Sequence, residues 1–315
     1  MQGLRKEGVE RPEWFALQLV EGAPGIEDKL PAEAYAKISV FTIFVGFALL
    51  FAGCSKDDEN IPGGIEPPKT ILDAFNAKYP DARDTEWTVN DDYYVIDFEN
   101  NSLDNTAWFD HLGVWAMIKT DLPLNQLPTA ISNDIKQGKY AGWKIEEADT
   151  IGRAGMGTVY KVEVEKAEQE TDLYYTLYGD LIKAVDNAKD DVDRPISVPE
   201  KVADLMELTF QGAELLDIEN TTFGVQLAIL DGKTLKIVEL TQIYTWKSTT
   251  WKVSEQEVPT VIMDAFKASE YGNDQVESIY MFTDANGAFH KFNVIHNGQA
   301  VTVEFDVFGN IVTNK

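Results

Sequence analysis

Pro68-Lys69-Thr70-Ile71-Leu72-Asp73-Ala74-Phe75 sets the pattern of this chain, because the sequence returns to it three times. The later versions are Pro128-Thr129-Ala130-Ile131-Ser132-Asn133-Asp134-Ile135, Pro199-Glu200-Lys201-Val202-Ala203-Asp204-Leu205-Met206 and Pro259-Thr260-Val261-Ile262-Met263-Asp264-Ala265-Phe266. Each places a proline at the first turn of a helix, where its missing N–H costs nothing. Apolar residues then recur at the three-to-four spacing of one helical face. The prolines stand 60, 71 and 60 residues apart, so the first and third, and the second and fourth, are each separated by 131. Such an offset predicts a duplicated pair of units.

Behind each helix the period changes to that of strands. Tyr93–Phe98, Val159–Val164, Val225–Ile229 and Phe289–Val294 are rich in β-branched and aromatic residues. Asp231-Gly232-Lys233 and Asn297-Gly298 then signal tight hairpins. Three units end alike, in Asp110-His111-Leu112-Gly113, Thr176-Leu177-Tyr178-Gly179 and Asp306-Val307-Phe308-Gly309. A closing glycine fits a turn whose last position needs positive φ. The third unit, near Leu240-Thr241-Gln242-Ile243, lacks that glycine and is the divergent one. The expected fold class is therefore α+β, with tandem repeats of a short helix packed on an antiparallel sheet in two double modules. The expected division is a signal region over 1–53, a tether over 54–67, and modules over 68–190 and 196–315. The acidic run Asp190-Asp191-Val192-Asp193-Arg194-Pro195 lies between the halves.

Particular aromatic motifs carry a family resemblance. Phe75, Tyr79-Pro80 and Trp87, then Trp108-Phe109-Asp110-His111-Leu112-Gly113-Val114-Trp115 and Leu127-Pro128, resemble the PepSY-like, β-lactamase-inhibitor-like family of Bacteroidota lipoproteins. The resemblance is closest over 67–183 and weaker over 196–313. It implies helices on one face of each sheet and an open opposite face that grips a protein.

Before the linker Asn60–Pro68 stands the apolar run Ile38–Phe51, which ends in Ala52-Gly53-Cys54. The run has the length of a signal-peptide apolar region and is short for a membrane span. The junction is similar to the lipobox of bacterial lipoproteins, with Phe51 where Leu is more usual. That similarity implies lipidation of Cys54, the only cysteine. Residues 1–36 are long and acidic for the region preceding such a run, so the true start is expected downstream of Met1. The acidic stretch Ser55-Lys56-Asp57-Asp58-Glu59 resembles tags that send lipoproteins to the outer membrane or cell surface; a solvated tether is the plainer reading.

The net charge is −26, and from Cys54 onward 22 basic residues face 46 acidic ones. Such a surface repels nucleic acid and anionic lipid and favours basic partners, or serves solubility alone. Catalytic spacings are missing: no HExxH, CxxC or GxSxG occurs. His290 and His296 could approach across a hairpin, although a solvated pair is the plainer expectation. Gly152–Gly157 and Asp284–Gly287 read as turns rather than as a phosphate or calcium loop. Glu163 and Glu165 share a strand face, but a glycosidase needs its carboxylates across a cleft.

The functional expectation is an envelope-anchored, lipid-tethered module without cofactor or metal. It would bind a protein or peptide of the envelope, or act as an inhibitor, through an open aromatic and acidic sheet face. Trp108 and Trp115 are the candidate binding residues, expected exposed on the first half's open sheet. The competing readings are a structural or accessory envelope lipoprotein and, more remotely, a hydrolase.

Overall fold

The computed structural model describes residues 65–186 and 193–312. Each repeat proline stands one residue before a helix, with φ between −51° and −61°. Its carbonyl accepts a bond from an N–H of the first turn, as in Ile71 N–H to Pro68 O at 2.9 Å and Ile262 N–H to Pro259 O at 2.9 Å. In the first unit α1 (Lys69–Lys78) leads to β1 (Arg83–Asn90), β2 (Tyr93–Asn100), β3 (Leu103–Asp110) and β4 (Trp115–Asp121). The second runs α2 (Thr129–Gln137), β5 (Lys144–Arg153), β6 (Val159–Lys166), β7 (Gln169–Tyr175) and β8 (Leu181–Asp186). The third runs α3 (Glu200–Thr209), β9 (Glu214–Thr221), β10 (Gly224–Asp231), β11 (Thr234–Leu240) and β12 (Trp246–Val253). The fourth runs α4 (Thr260–Ala268), β13 (Gln275–Asp284), β14 (Gly287–His296) and β15 (Gln299–Asp306), after which Ile311 bridges back to Phe305. Strands β1–β8 form one antiparallel sheet in chain order and β9–β15 a second.

Short helices are not stable alone and persist here by packing on a sheet. Ile71 and Phe75 of α1 enter an aromatic core with Trp87, Phe98 and Phe109. Phe75 meets Trp87 and Phe98 edge-on at 5.4 and 5.1 Å between ring centroids. Thus the Phe75…Trp87 motif is a core device, with the ring geometry such pairs prefer. Ile131 and Ile135 of α2, Val202 of α3, and Ile262 and Phe266 of α4 anchor the equivalent cores.

One turn is repeated four times. The N–H of Gly113 donates to Asp110 O, Gly179 to Thr176 O, Tyr244 to Thr241 O and Gly309 to Asp306 O, all within 2.9–3.1 Å. The side chain that opens each turn accepts backbone N–H bonds: Asp110 Oδ1 from Leu112 and Val114, Thr176 Oγ1 from Tyr178 and Asp180, Thr241 Oγ1 from Thr245, and Asp306 Oδ1 from Phe308 and Asn310. The glycines are required twice over. Their φ lies between 83° and 86°, and a Cβ at Gly179 would fall 2.8 Å from the Ala130 backbone of α2. The divergent third unit keeps the turn by placing Tyr244 at φ 67°, a conformation that favours glycine.

The faces turned away from the helices are not both open, contrary to expectation. Met117, Ile151, Val159 and Tyr174 of the first sheet join Leu216 and Ala228 of the second in one buried cluster. Trp108, Leu230, Leu235 and Ile237 pack around it. The two sheets therefore meet back to back over part of their area. Strands β7, β9 and β10 bury residues on both faces.

Charges surround this seam. Lys161 pairs with Asp172 and Asp193, each at 2.9 Å, and the Tyr174 hydroxyl donates to Asp193 at 2.9 Å. Burial works to lower the Lys161 pKa, but the two carboxylates prevail and raise it. Lys183 of β8 bridges to Asp217 of β9 at 2.8 Å. Arg153 Nε donates to the Arg194 carbonyl at 2.9 Å, and Arg194 pairs with Asp91. These bonds fix the inter-half segment at Asp193 and Arg194 onto the first sheet. Removing one partner of such a buried pair costs more than the pair itself contributes.

Candidate functional site

A cleft of about 1220 Å³ lies where the halves meet. It lies between the α1 core and the α3 core. From the first half come Tyr93 at the start of β2, Trp115 at the start of β4, and Met156 and Gly157 in the β5–β6 turn. The second half supplies Met206, Glu207 and Phe210 near the end of α3, and Glu214 at the start of β9. The β5–β6 turn is docked by Gly157 N–H donating to Leu215 O at 2.8 Å. A Cβ at Gly157 would lie 2.9 Å from Leu216 Cδ2, so the glycine permits this close approach. The motif Gly152–Gly157 is thus a hairpin turn that docks onto the second half, not a phosphate cradle.

Among the described residues the cleft wall carries Asp110, Glu207 and Glu214 but no Lys, Arg or His. Asp110 is committed to its turn, whereas Glu207 and Glu214 are exposed. Apolar and aromatic walls with a few polar groups are the usual make-up of a binding site.

Trp108 and Trp115 are not exposed together on one open face; both are half-buried, on opposite faces of the first sheet. Trp108 packs against the inter-sheet cluster. Trp115 packs on the α1 core beside Tyr79, and its ring lies under Lys78 Nζ at 4.2 Å from the centroid. Burial pushes the Tyr79 phenol up to about 12, against an opposing pull from Trp115. A β-bulge separates the two tryptophans' faces: Trp108 pairs with Met117, and Phe109 with Trp115, so Ala116 is the extra residue. Only Trp115 lines the cleft.

His290 and His296 do not converge. Both lie on β14, six residues and so about 20 Å apart. His290 is buried, which lowers its pKa, and its Nδ1 has no hydrogen-bond partner. His296 Nδ1 is 2.7 Å from Asp274. In the turn Asp284–Gly287, Asp284 Oδ1 accepts the Asn286 N–H at 2.7 Å, as a hairpin turn does. Glu163 faces Asp172 and Glu147 across neighbouring strands, and burial raises its pKa, with those carboxylates adding to the effect. The aromatics that sequence reading missed are Tyr280, Phe282 and Phe289, which belong to no core cluster among the described residues. Lys291 covers Phe282 at 3.7 Å from its centroid and pairs with Glu304 at 2.9 Å. Among the described residues no helix is long and apolar enough to cross a membrane. Cys54 and the apolar run before it lie outside the described residues.

The beta-lactamase-inhibitor-like, PepSY-like family model matches residues 92–183 and 232–313, more than half of the chain. The chain is also similar to solved structures of single-module size. A BLIP-like protein from Bacteroides fragilis is 28% identical and aligns over 43% of this chain and 97% of its own, at TM-score 0.40. A DUF2874 family protein from Bacteroides ovatus is 27% identical over 41% of this chain and 95% of its own, at TM-score 0.39. One from Bacteroides uniformis is 27% identical over 38% and 90%, at TM-score 0.37. Among curated proteins none matches.

Proposed function

The chain belongs to the beta-lactamase-inhibitor-like, PepSY-like family, and from that premise we propose that it is an exported binding module whose cleft captures a protein or peptide segment. The observation that carries this reading is the cleft itself, with Trp115, Tyr93 and Phe210 as apolar walls and carboxylates as the charged groups among its described lining residues. A segment with an apolar side chain beside a lysine or arginine would bury the first and pair the second with Glu207 or Glu214. Aromatic anchors of this kind dominate binding energy at interfaces. If the captured segment belongs to an enzyme, its occupation makes the module an inhibitor. The Ala52-Gly53-Cys54 junction supports lipid anchoring in the envelope, which would hold the cleft near envelope proteins. The test is selection of a displayed random-peptide library on the purified protein. Peptides pairing a basic with an aromatic or aliphatic residue should be enriched. Absence of enrichment, or identical enrichment on Glu207→Lys, would favour a structural or accessory envelope role instead.

A further inference from the structure

We propose that Asp121, Glu147 and Asp149 form a binding site for one divalent cation of the calcium class, on the face of the first sheet turned away from its helices. Asp121 and Asp149 are direct cross-strand partners between β4 and β5. Glu147 reaches the same face through a bulge. The β5 register shifts between Ile145 and Glu147, so Ile145 packs toward the helical core while Glu147 pairs with Glu163 on the opposite face. One carboxylate oxygen from each of the three residues lies within 4.8 Å of the other two.

A group of acids on so acidic a protein means little by itself. Asp149 supplies a separate observation. It is only 3% exposed, and its Oδ1 is buried with no hydrogen-bond partner. Buried carboxylate oxygens normally find a donor. Lys119 Nζ stands 3.7 Å from the other oxygen, Oδ2, beyond hydrogen-bond distance. Lys161, the next cation on this face, is held by Asp172 and Asp193. Burial, with Glu147 and Asp121 beside it, drives the Asp149 carboxyl up to about 7, against Lys119 and Lys161. A cation between the three carboxylates would satisfy the orphan oxygen and remove their mutual repulsion.

The donor chemistry selects the ion. Three carboxylates with no nitrogen or sulfur favour a hard cation. Calcium–oxygen distances of 2.3–2.6 Å let oxygens across the ion stand about 5 Å apart, so this spread needs little adjustment. Magnesium brings opposite oxygens to about 4 Å and gives up its waters reluctantly.

The test is calorimetric titration of CaCl2 into the purified, chelator-treated protein at neutral pH and 150 mM NaCl. One site is expected, with a dissociation constant below about 1 mM, as for exported calcium modules. Glu147→Gln and Asp149→Asn should each weaken it at least tenfold, Glu304→Gln should not, and MgCl2 should bind at least tenfold more weakly. Glu147 is exposed, so its variant keeps the fold and the comparison stands even if Asp149→Asn does not. In parallel, calcium should raise the melting temperature of the wild type and not that of Glu147→Gln. No saturable binding, or binding unchanged in both cluster variants, overturns the site. Equal affinity for magnesium overturns its assignment to calcium.

Discussion

Replacing Asp149 by asparagine should stabilise the protein at pH 8 and change little at pH 4. The carboxyl is 3% exposed and titrates at about 7 in the folded state, against 3.8 as a free side chain, chiefly because burial disfavours its charge. As pH rises, the unfolded chain ionises this group near 3.8 while the folded protein keeps it protonated until about 7. Folding stability therefore falls between those two values and is level above them. A gap of about three pKa units corresponds to about 4 kcal/mol when complete. Asparagine carries no charge at any pH and escapes that loss, but it forgoes the attraction of Lys119. A net gain of about 2–3 kcal/mol at pH 8 is expected. Urea unfolding of both proteins at pH 4, 6 and 8, with EDTA present, reads the difference as a shift in midpoint. Comparing the two proteins at each pH cancels the common effect of net charge. A difference that does not change with pH, or a variant less stable at pH 8, would refute the assignment of Asp149 as a strained, buried carboxylate.

Trp108→Ala should cost about 2 kcal/mol, since the ring is half-buried against the inter-sheet cluster, whereas Phe223→Ala, at an 82% exposed residue, should leave the unfolding midpoint unchanged. Gly179→Ala should be more damaging than Gly212→Ala by about 1 kcal/mol or more: both have φ above 80°, but only the first would press a Cβ into α2. A radiolabelled fatty acid should mark the wild type expressed in a lipoprotein-processing host and not Cys54→Ala; equal labelling of both would end the lipid-anchor proposal.

Much of the fold could be read from residue order because it rests on local rules. Prolines at the four helix starts, the hairpin signals Asp231-Gly232 and Asn297-Gly298, and the closing glycines at 113, 179 and 309 all report backbone conformations that few other residues adopt. Tyr244 escaped notice since nothing in its side chain announces positive φ; only the repeat spacing could have located it. The back-to-back contact of the sheets was legible in part. Leu173-Tyr174-Tyr175, Leu215-Leu216 and Val225–Leu230 are nearly continuous apolar runs, the pattern of strands covered on both faces. What sequence lacks is the partner of the second face. The placement of Trp108 and Trp115 failed for a different reason. Strict alternation puts 108 and 115 on opposite faces of a single strand, yet they occupy two strands, and the bulge at Ala116 shifts the parity again. Asp149, Arg153 and Asp217 look like solvent-facing strand residues, yet all three are buried.

Capture of a segment in the cleft between the halves is the central claim, and the affinity of one selected peptide tests it most directly. A peptide pairing an aromatic with a basic residue should bind the wild-type protein at one site, and bind Glu207→Lys at least tenfold more weakly. Glu207 is exposed and makes no bond that the fold depends on among those described, so a loss would report the cleft rather than unfolding. The same affinity for Glu207→Lys and wild type, with both proteins folded, would place binding elsewhere and contradict the account.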